Sequence, residues 1–196
     1  MEGANIVDLA AGASSLTAGL LESGANAFAL DRLYYDLSNL EEQTEASLQQ
    51  VLQDTARIAP NYLEHMERVT RESIRRFFES LVNNPDRYKA GWLTHLPFES
   101  EFFDWTVSLN SISDLAIDYD VFLAAMEEAI RITGGGGKVV IAPFHTSSGR
   151  HNYYATEHAQ LLAYLQEKYP YKLLVESEIP NYLDSRLTIV IERAKH

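Results

Sequence analysis

The sequence predicts an α/β fold built on a mostly parallel sheet, and three observations carry that expectation. The stretch Asn5 to Asp31 reads strand, tight turn, helix, strand, acid. Further on, apolar runs of strand length alternate with segments of helical periodicity, the pattern of βαβ units. A chain of 196 residues with 46% hydrophobic and 22% charged residues suits one domain with a substantial core.

The first stretch sets the frame. Ile6-Val7-Asp8-Leu9 is a short apolar run that carries an acid, and Ala10-Ala11-Gly12-Ala13 is a turn of small residues. Ser14 to Ser23 has Leu16, Leu20 and Leu21 at helical spacing, Ser14 or Ser15 as candidate cap, and Gly24 where a helix would end. Ala25 to Leu30 is a second apolar run, followed directly by Asp31. Small residues admit a ligand close to the backbone. A helix N-terminus offers free N–H groups. An acid after the second strand can accept hydrogen bonds from the vicinal hydroxyls of a ribose.

Asp36 to Val82 reads as helical throughout, broken at Pro60 and stopped at Asn83-Asn84-Pro85-Asp86. A crossover between parallel strands needs only about a dozen residues, so this stretch is an insertion. Its expected place is over the carboxyl edge of the sheet, where doubly wound folds bind ligands. A lid or substrate-recognition element over 36–84 is one reading; a packed helical hairpin that adds core or a dimer face is the other.

Phe103 to Leu109 reads as a strand and Tyr119 to Ile132 as a helix with a broad apolar face. The run Gly134-Gly135-Gly136-Gly137 is expected to end that helix, and Lys138 to Phe144 to form the next strand. The glycines do not make a phosphate loop, because no Gly-Lys-Ser/Thr follows and no strand precedes. Phe144 to Asn152 is a polar loop in which His145 is a candidate general base; no acid–histidine spacing joins His145 and His151 into a metal site. Thr156 to Lys168 is an amphipathic helix, and Lys172–Ile179 and Leu187–Glu192 alternate with the period of strands.

In this order the elements resemble the class I S-adenosylmethionine (SAM) methyltransferases. The family's first motif is roughly acid-x-Gly-x-Gly-x-Gly; here Asp8 matches the acid and Gly12 the central glycine, with Ala10 and Ser14 at the flanking positions. Gly91 and Leu96-Pro97-Phe98 are similar to a Gly-Asp-Ala-x-x-Leu-Pro-Phe segment, with Trp92 in place of its acid. Phe103-Asp104 resembles the family's fourth strand, and the passage from Arg131 through the glycines resembles Arg-Val-Leu-Lys-Pro-Gly-Gly. The resemblance implies a single SAM-methyltransferase-like domain over 1–196 and a three-layer sandwich. Its seven-stranded, mostly parallel sheet would have the order 3-2-1-4-5-7-6, the last strand antiparallel. It implies SAM as cofactor. Asp8, Ala10 and Gly12 would shape the methionine and ribose pocket, and Asp31 would hold the ribose hydroxyls. Trp92 and Leu93 would flank adenine, and Asn110 and Ser111 would line the methyl-transfer end. A base is needed only if the acceptor must lose a proton, and the candidates are His145, His95 and Tyr34 or Tyr35. The family usually carries covering helices before its first strand. Met1 lies only a few residues ahead of that strand; either another segment closes the pocket, for which 36–84 is the candidate, or the site is open, or the fold is a trimmed version.

The net charge of −12 argues against nucleic acid and against an anionic membrane as partners, and a small-molecule acceptor is expected. Arg68, Arg71, Arg75, Arg76, Arg87 and Lys89 form the candidate exception, a local basic patch. The absence of cysteine rules out a disulfide framework, a thiolate zinc site and a cysteine nucleophile. No apolar run reaches the roughly 18 residues of a membrane span, and the short acidic start is no signal peptide, so a cytoplasmic protein is expected. The large helical segment suits a homodimer face. Two other readings compete with the enzyme. One is a non-catalytic methyltransferase-fold protein acting as a binding or assembly partner. The other is a nicotinamide-dependent oxidoreductase, which would end in a parallel sixth strand.

Overall fold

In the computed structural model, which describes residues 2–109, 119–145, 163–164, 167–168, 171–176 and 186–193, β1 (Asn5–Leu9) and β2 (Asn26–Asp31) run parallel, joined by α1 (Leu16–Glu22). Ile6 pairs with Ala27 and Asp8 with Ala29, while Val7 pairs with Phe28 and Leu9 with Leu30. Successive side chains of a strand point to opposite faces. One face therefore carries Ile6, Asp8, Ala27, Ala29 and Asp31, and the other Val7, Leu9, Phe28 and Leu30.

The chain between β2 and β3 (Tyr88–Ala90) holds a 3-10 turn at Arg32–Tyr35, α2 (Leu37–Ile58) and α3 (Leu63–Asn83), with the break at Pro60. Phe77 of α3 is fully buried with Ala29, Tyr34, Leu40 and Tyr88, a burial worth about 2–3 kcal/mol for a ring of this size. The second half of α3 runs beside α1. The Ser15 main-chain N–H donates to Ser73 Oγ at 3.2 Å, and Arg76 is paired with Glu22 at 2.5 Å. Ser73 is thus level with the start of α1, which follows the carboxyl end of β1. The ten preceding residues of α3 correspond to about 15 Å of helix. With the part of α2 that faces them they stand beyond that edge, tied by an Arg71–Glu45 pair at 3.5 Å.

β4 (Phe103–Leu109) and β5 (Thr133–His145) extend the sheet on the other side of β1, with α4 (Tyr119–Ile132) between them in sequence. β6 (Tyr171–Glu176) and β7 (Arg186–Arg193) complete the order β3-β2-β1-β4-β5-β7-β6, in which β7 is antiparallel to both neighbours. α4 buries Phe122, Met126, Ala129 and Ile130 against Val7, Leu9, Leu30, Phe103, Val139 and Ile141. α1 covers the opposite face at Ile6, Ala27 and the partly buried Trp105 and Val107. The expectation of an α/β fold with a mostly parallel sheet holds. The expected helix 156–168 lies largely outside the described residues. Among the described residues no helix is long and apolar enough to cross a membrane.

The glycine run corrects the sequence reading. It does not separate α4 from β5 but forms the start of β5, which follows α4 without a connecting turn. Phe103 pairs with Thr133 and Trp105 with Lys138, so five steps of β5 lie against two of β4. The surplus is a bulge. A Cβ on Gly137 would lie 2.8 Å from the Asp104 carbonyl oxygen, which leaves room only for glycine there. The Thr133 hydroxyl donates to the Ala129 carbonyl at 2.7 Å and lies 2.7 Å from the Thr106 hydroxyl. One of the carbonyls left open at the end of α4 is thereby satisfied at the point where helix becomes strand.

Candidate functional site

Strand parity brings Asp8 and Asp31 to one face, near the carboxyl ends of adjacent strands. Asp31 ends β2 and is 8% exposed. Its Oδ2 accepts the Gly12 N–H at 2.8 Å, and its Oδ1 accepts the Leu33 N–H at 2.8 Å. The acid therefore ties the small-residue turn after β1 to the 3-10 turn after β2. Each carboxylate oxygen has a second lone pair, so the group can still receive hydroxyl donors.

Asp8 is 2% exposed, and its Oδ2 has no hydrogen-bond partner among the described residues. Burial, and then the neighbouring Asp31 carboxylate, push its carboxyl up to about 7. A buried polar atom without a partner is uncommon in a folded protein, so the Asp8 oxygen singles out this end of β1.

The turn itself is strained. Ala10 has φ 54° and Gly12 φ 52°. The first costs an alanine about 1–2 kcal/mol, whereas glycine adopts such angles freely. A Cβ on Gly12 would meet nothing within 4 Å, so the backbone here borders open space. Tyr34 locks the turn from below: its hydroxyl donates to the Gly12 carbonyl at 2.6 Å, and its ring stacks on Phe77.

These contacts revise three expectations. Tyr34 is not a base, because its hydroxyl is a committed donor and is pushed far above the usual phenol range by burial, then by Asp31, Asp8 and Tyr88. The α1 start does not present all of its N–H groups. Ser73 takes that of Ser15, and Ser14 Oγ takes that of Leu16 at 3.1 Å. Three of the four α3 arginines in the expected basic patch are paired with carboxylates, while Arg68 lies 3.4 Å from His65 Nδ1. Arg71 pairs with Glu67 and Glu45, Arg75 with Glu72 and Glu79, and Arg76 with Glu22. Arg87 donates to Asn26 Oδ1 and lies over the Phe28 ring.

The remaining site residues fall as follows. Ala90 of β3 pairs with Asp31, and the Gly91 N–H donates to the Asp31 carbonyl at 3.3 Å, so Trp92 follows the strand end nearest Asp31. Trp92 is 57% exposed, while Leu93 packs against the core. Tyr35 and His95 are exposed. His145 closes β5, its backbone opposite Arg186. Asn110, Ser111 and His151 lie outside the described residues. Sequence reasoning missed Ser73 and the structural role of Tyr34. Neither carries a local signal, since their partners are 58 and 22 residues away.

No family model matches the chain, and no curated protein matches it by sequence. Solved structures do match it. A SAM-dependent methyltransferase from Methanosarcina mazei aligns over all of this chain and 95% of its own, at 12% identity and TM-score 0.57. A TehB-like SAM-dependent methyltransferase from Corynebacterium glutamicum aligns over all of this chain and 82% of its own, at 15% identity and TM-score 0.51. Magnesium protoporphyrin IX methyltransferase from Synechocystis PCC 6803, solved with bound SAM, aligns over 98% of this chain and 71% of its own, at 8% identity and TM-score 0.53. The chain has the class I SAM-dependent methyltransferase fold.

Proposed function

We propose that this protein binds SAM at the carboxyl ends of β1 and β2 and transfers its methyl group to a small-molecule acceptor. The observation that carries the reading is the Asp31–Gly12 contact beside a buried Asp8 oxygen that has no partner among the described residues. Together they offer a carboxylate with spare lone pairs, a second acceptor awaiting a donor, and open space over Gly12. Asp8, Ala10 and Gly12 would hold the amino-acid and ribose portion, and Asp31 the ribose hydroxyls. Trp92 and Leu93 would hold the adenine, and Asn110 and Ser111 would line the transfer end.

When bound, the cofactor supplies a methyl group on a sulfonium, open to in-line displacement. The chain's own work is alignment and exclusion of water. On this reading the α2–α3 hairpin would serve as a lid over the edge where the acceptor enters; the Ser15–Ser73 contact, which sets α3 beside the start of α1, supports that role for 36–84. His145, at the end of β5, is the candidate base for an acceptor that must lose a proton. The net charge of −12 and the carboxylate partners of Arg71, Arg75 and Arg76 favour a small acceptor over nucleic acid. The alternative, a non-catalytic binding or assembly role, draws on the occupied N–H groups at the start of α1.

Titration calorimetry with S-adenosylhomocysteine, with NADH as control, tests the reading. Saturable binding that is lost in Asp31→Ala is the expected result, followed by transfer of labelled methyl groups in an acceptor screen. Absence of heat with the thioether at high protein concentration would overturn it.

A further inference from the structure

Between β3 and β4 the chain leaves the sheet and must satisfy its backbone groups elsewhere. It does so on one pair of side chains of α4. The Leu96 N–H donates to Glu128 Oε2 at 2.8 Å. The Arg131 guanidinium donates to the Leu96 carbonyl at 3.1 Å and to the Phe98 carbonyl at 3.0 Å. It also reaches Ser100 Oγ at 3.3 Å. Glu128 and Arg131 are joined by a two-point ion pair at 2.7 and 2.8 Å. The Arg131 hydrogen bonds, and then the Leu96 N–H, hold the Glu128 carboxyl below its usual range against an opposing desolvation, so it stays charged. The rigid five-donor fork of arginine fits this arrangement, and lysine cannot reproduce it.

The segment so clamped carries the Trp92 turn. At one end Gly91 is bonded to the Asp31 carbonyl, and within it the His95 N–H closes on the Trp92 carbonyl at 3.0 Å. At the other end stands Leu96, held by Glu128 and Arg131. The turn is thus fixed to β2 through Asp31 and to α4 through the ion pair, and it leaves the Trp92 ring exposed.

We propose that Glu128 and Arg131 are positioning residues that set the Trp92 turn beside Asp31 in advance of ligand binding. Preorganised turns bind better because the ordering cost is met during folding. The inference rests on the SAM-binding reading for the identity of the ligand, but not for the ordering of the turn.

The test uses the full chain with Trp105→Phe, which leaves Trp92 as its sole tryptophan. Trp92 emission is followed during titration with S-adenosylhomocysteine, and amide exchange at Leu96 is measured without ligand. Expected are a Trp92 signal that saturates with the ligand and a protected Leu96 amide. In Arg131→Ala the affinity falls on the order of tenfold or more, the emission change shrinks, and Leu96 exchanges faster. Arg131→Lys recovers only part of each. Glu128→Gln, which keeps an acceptor for Leu96 but loses the charge, falls between the two. If Arg131→Ala keeps wild-type affinity and wild-type Leu96 protection, the positioning role is overturned. If the parent does not bind the thioether, the SAM reading fails, and Leu96 exchange together with Trp92 acrylamide quenching decides the positioning role alone. Unchanged values in Arg131→Ala then overturn it, and faster exchange with greater quenching supports it.

Discussion

The Asp31 carboxylate accepts the Gly12 N–H at 2.8 Å across 19 residues of sequence, so one acid spans the turn after β1 and the end of β2. Asp31→Ala would leave the part-buried N–H groups of Gly12 and Leu33 without acceptors. Each such loss costs about 1–3 kcal/mol. Thermal melting should show a clear drop in stability, and calorimetry should show loss of S-adenosylhomocysteine binding.

Asp8 makes stability depend on pH. Burial, and then Asp31, raise its carboxyl to about 7 in the folded chain, from an ordinary value of about 4 in the unfolded one. Between those values the folded state holds a proton that the unfolded state has released, so stability from this group falls as pH rises from about 4 to 7 and levels off above. Asp8→Asn removes the ionisable group. It should be more stable than wild type at pH 8, by one to a few kcal/mol in order of magnitude, and close to wild type at pH 4. Denaturant melts at the two values check this, and an equal difference at both would contradict it.

Ala10 adopts an angle that suits glycine. Ala10→Gly should release about 1–2 kcal/mol of strain, partly offset by roughly 0.5–1 kcal/mol of added unfolded-state entropy. The expected net change is a small stabilisation in a chemical denaturation series. Gly12→Ala, at φ 52°, should shift in the opposite direction.

Tyr34 is a strut. Tyr34→Phe removes the hydrogen bond to the Gly12 carbonyl and should cost about 1 kcal/mol, with the ring stack on Phe77 kept. Once an acceptor is found, the pH profile of methyl transfer should be the same in the variant and the wild type. Loss of a basic limb in that profile would restore Tyr34 as a base.

Phe77 joins α3 to the Tyr34 and Tyr88 rings under the turn. Phe77→Ala should cost about 3–5 kcal/mol and weaken thioether binding as well, because Tyr34 loses its stacking partner. Phe77→Leu should recover most of both. Thermal melts and the same calorimetric titration read the two effects together.

Where side-chain period and burial agree, the elements were legible in the sequence. The apolar runs Ile6 to Leu9 and Ala25 to Leu30, the stop at Pro60 and the apolar stripe of Tyr119 to Ile132 all mark real boundaries or faces, within one or two residues. Tyr88–Ala90 offers only three residues, too few to show the period of a strand. The glycine run predicts a turn, because glycine favours turns. The sheet used it as a bulge because only glycine fits against the Asp104 backbone.

The sequence by itself determined the α/β class and the placement of acids at the ends of its first two strands, since period and polarity are written residue by residue. What those acids bond to was decided only in three dimensions. Asp31 finds Gly12, Tyr34 finds the Gly12 carbonyl, Ser73 finds Ser15 and Arg131 finds Leu96 across 19 to 58 residues. Strand register and helix docking bring such partners together, and neither is encoded in any local window. The charges of α3 show the same division. The sequence displays a row of arginines, and the folded chain pairs Arg71, Arg75 and Arg76 with carboxylates that lie one helical turn or one helix away.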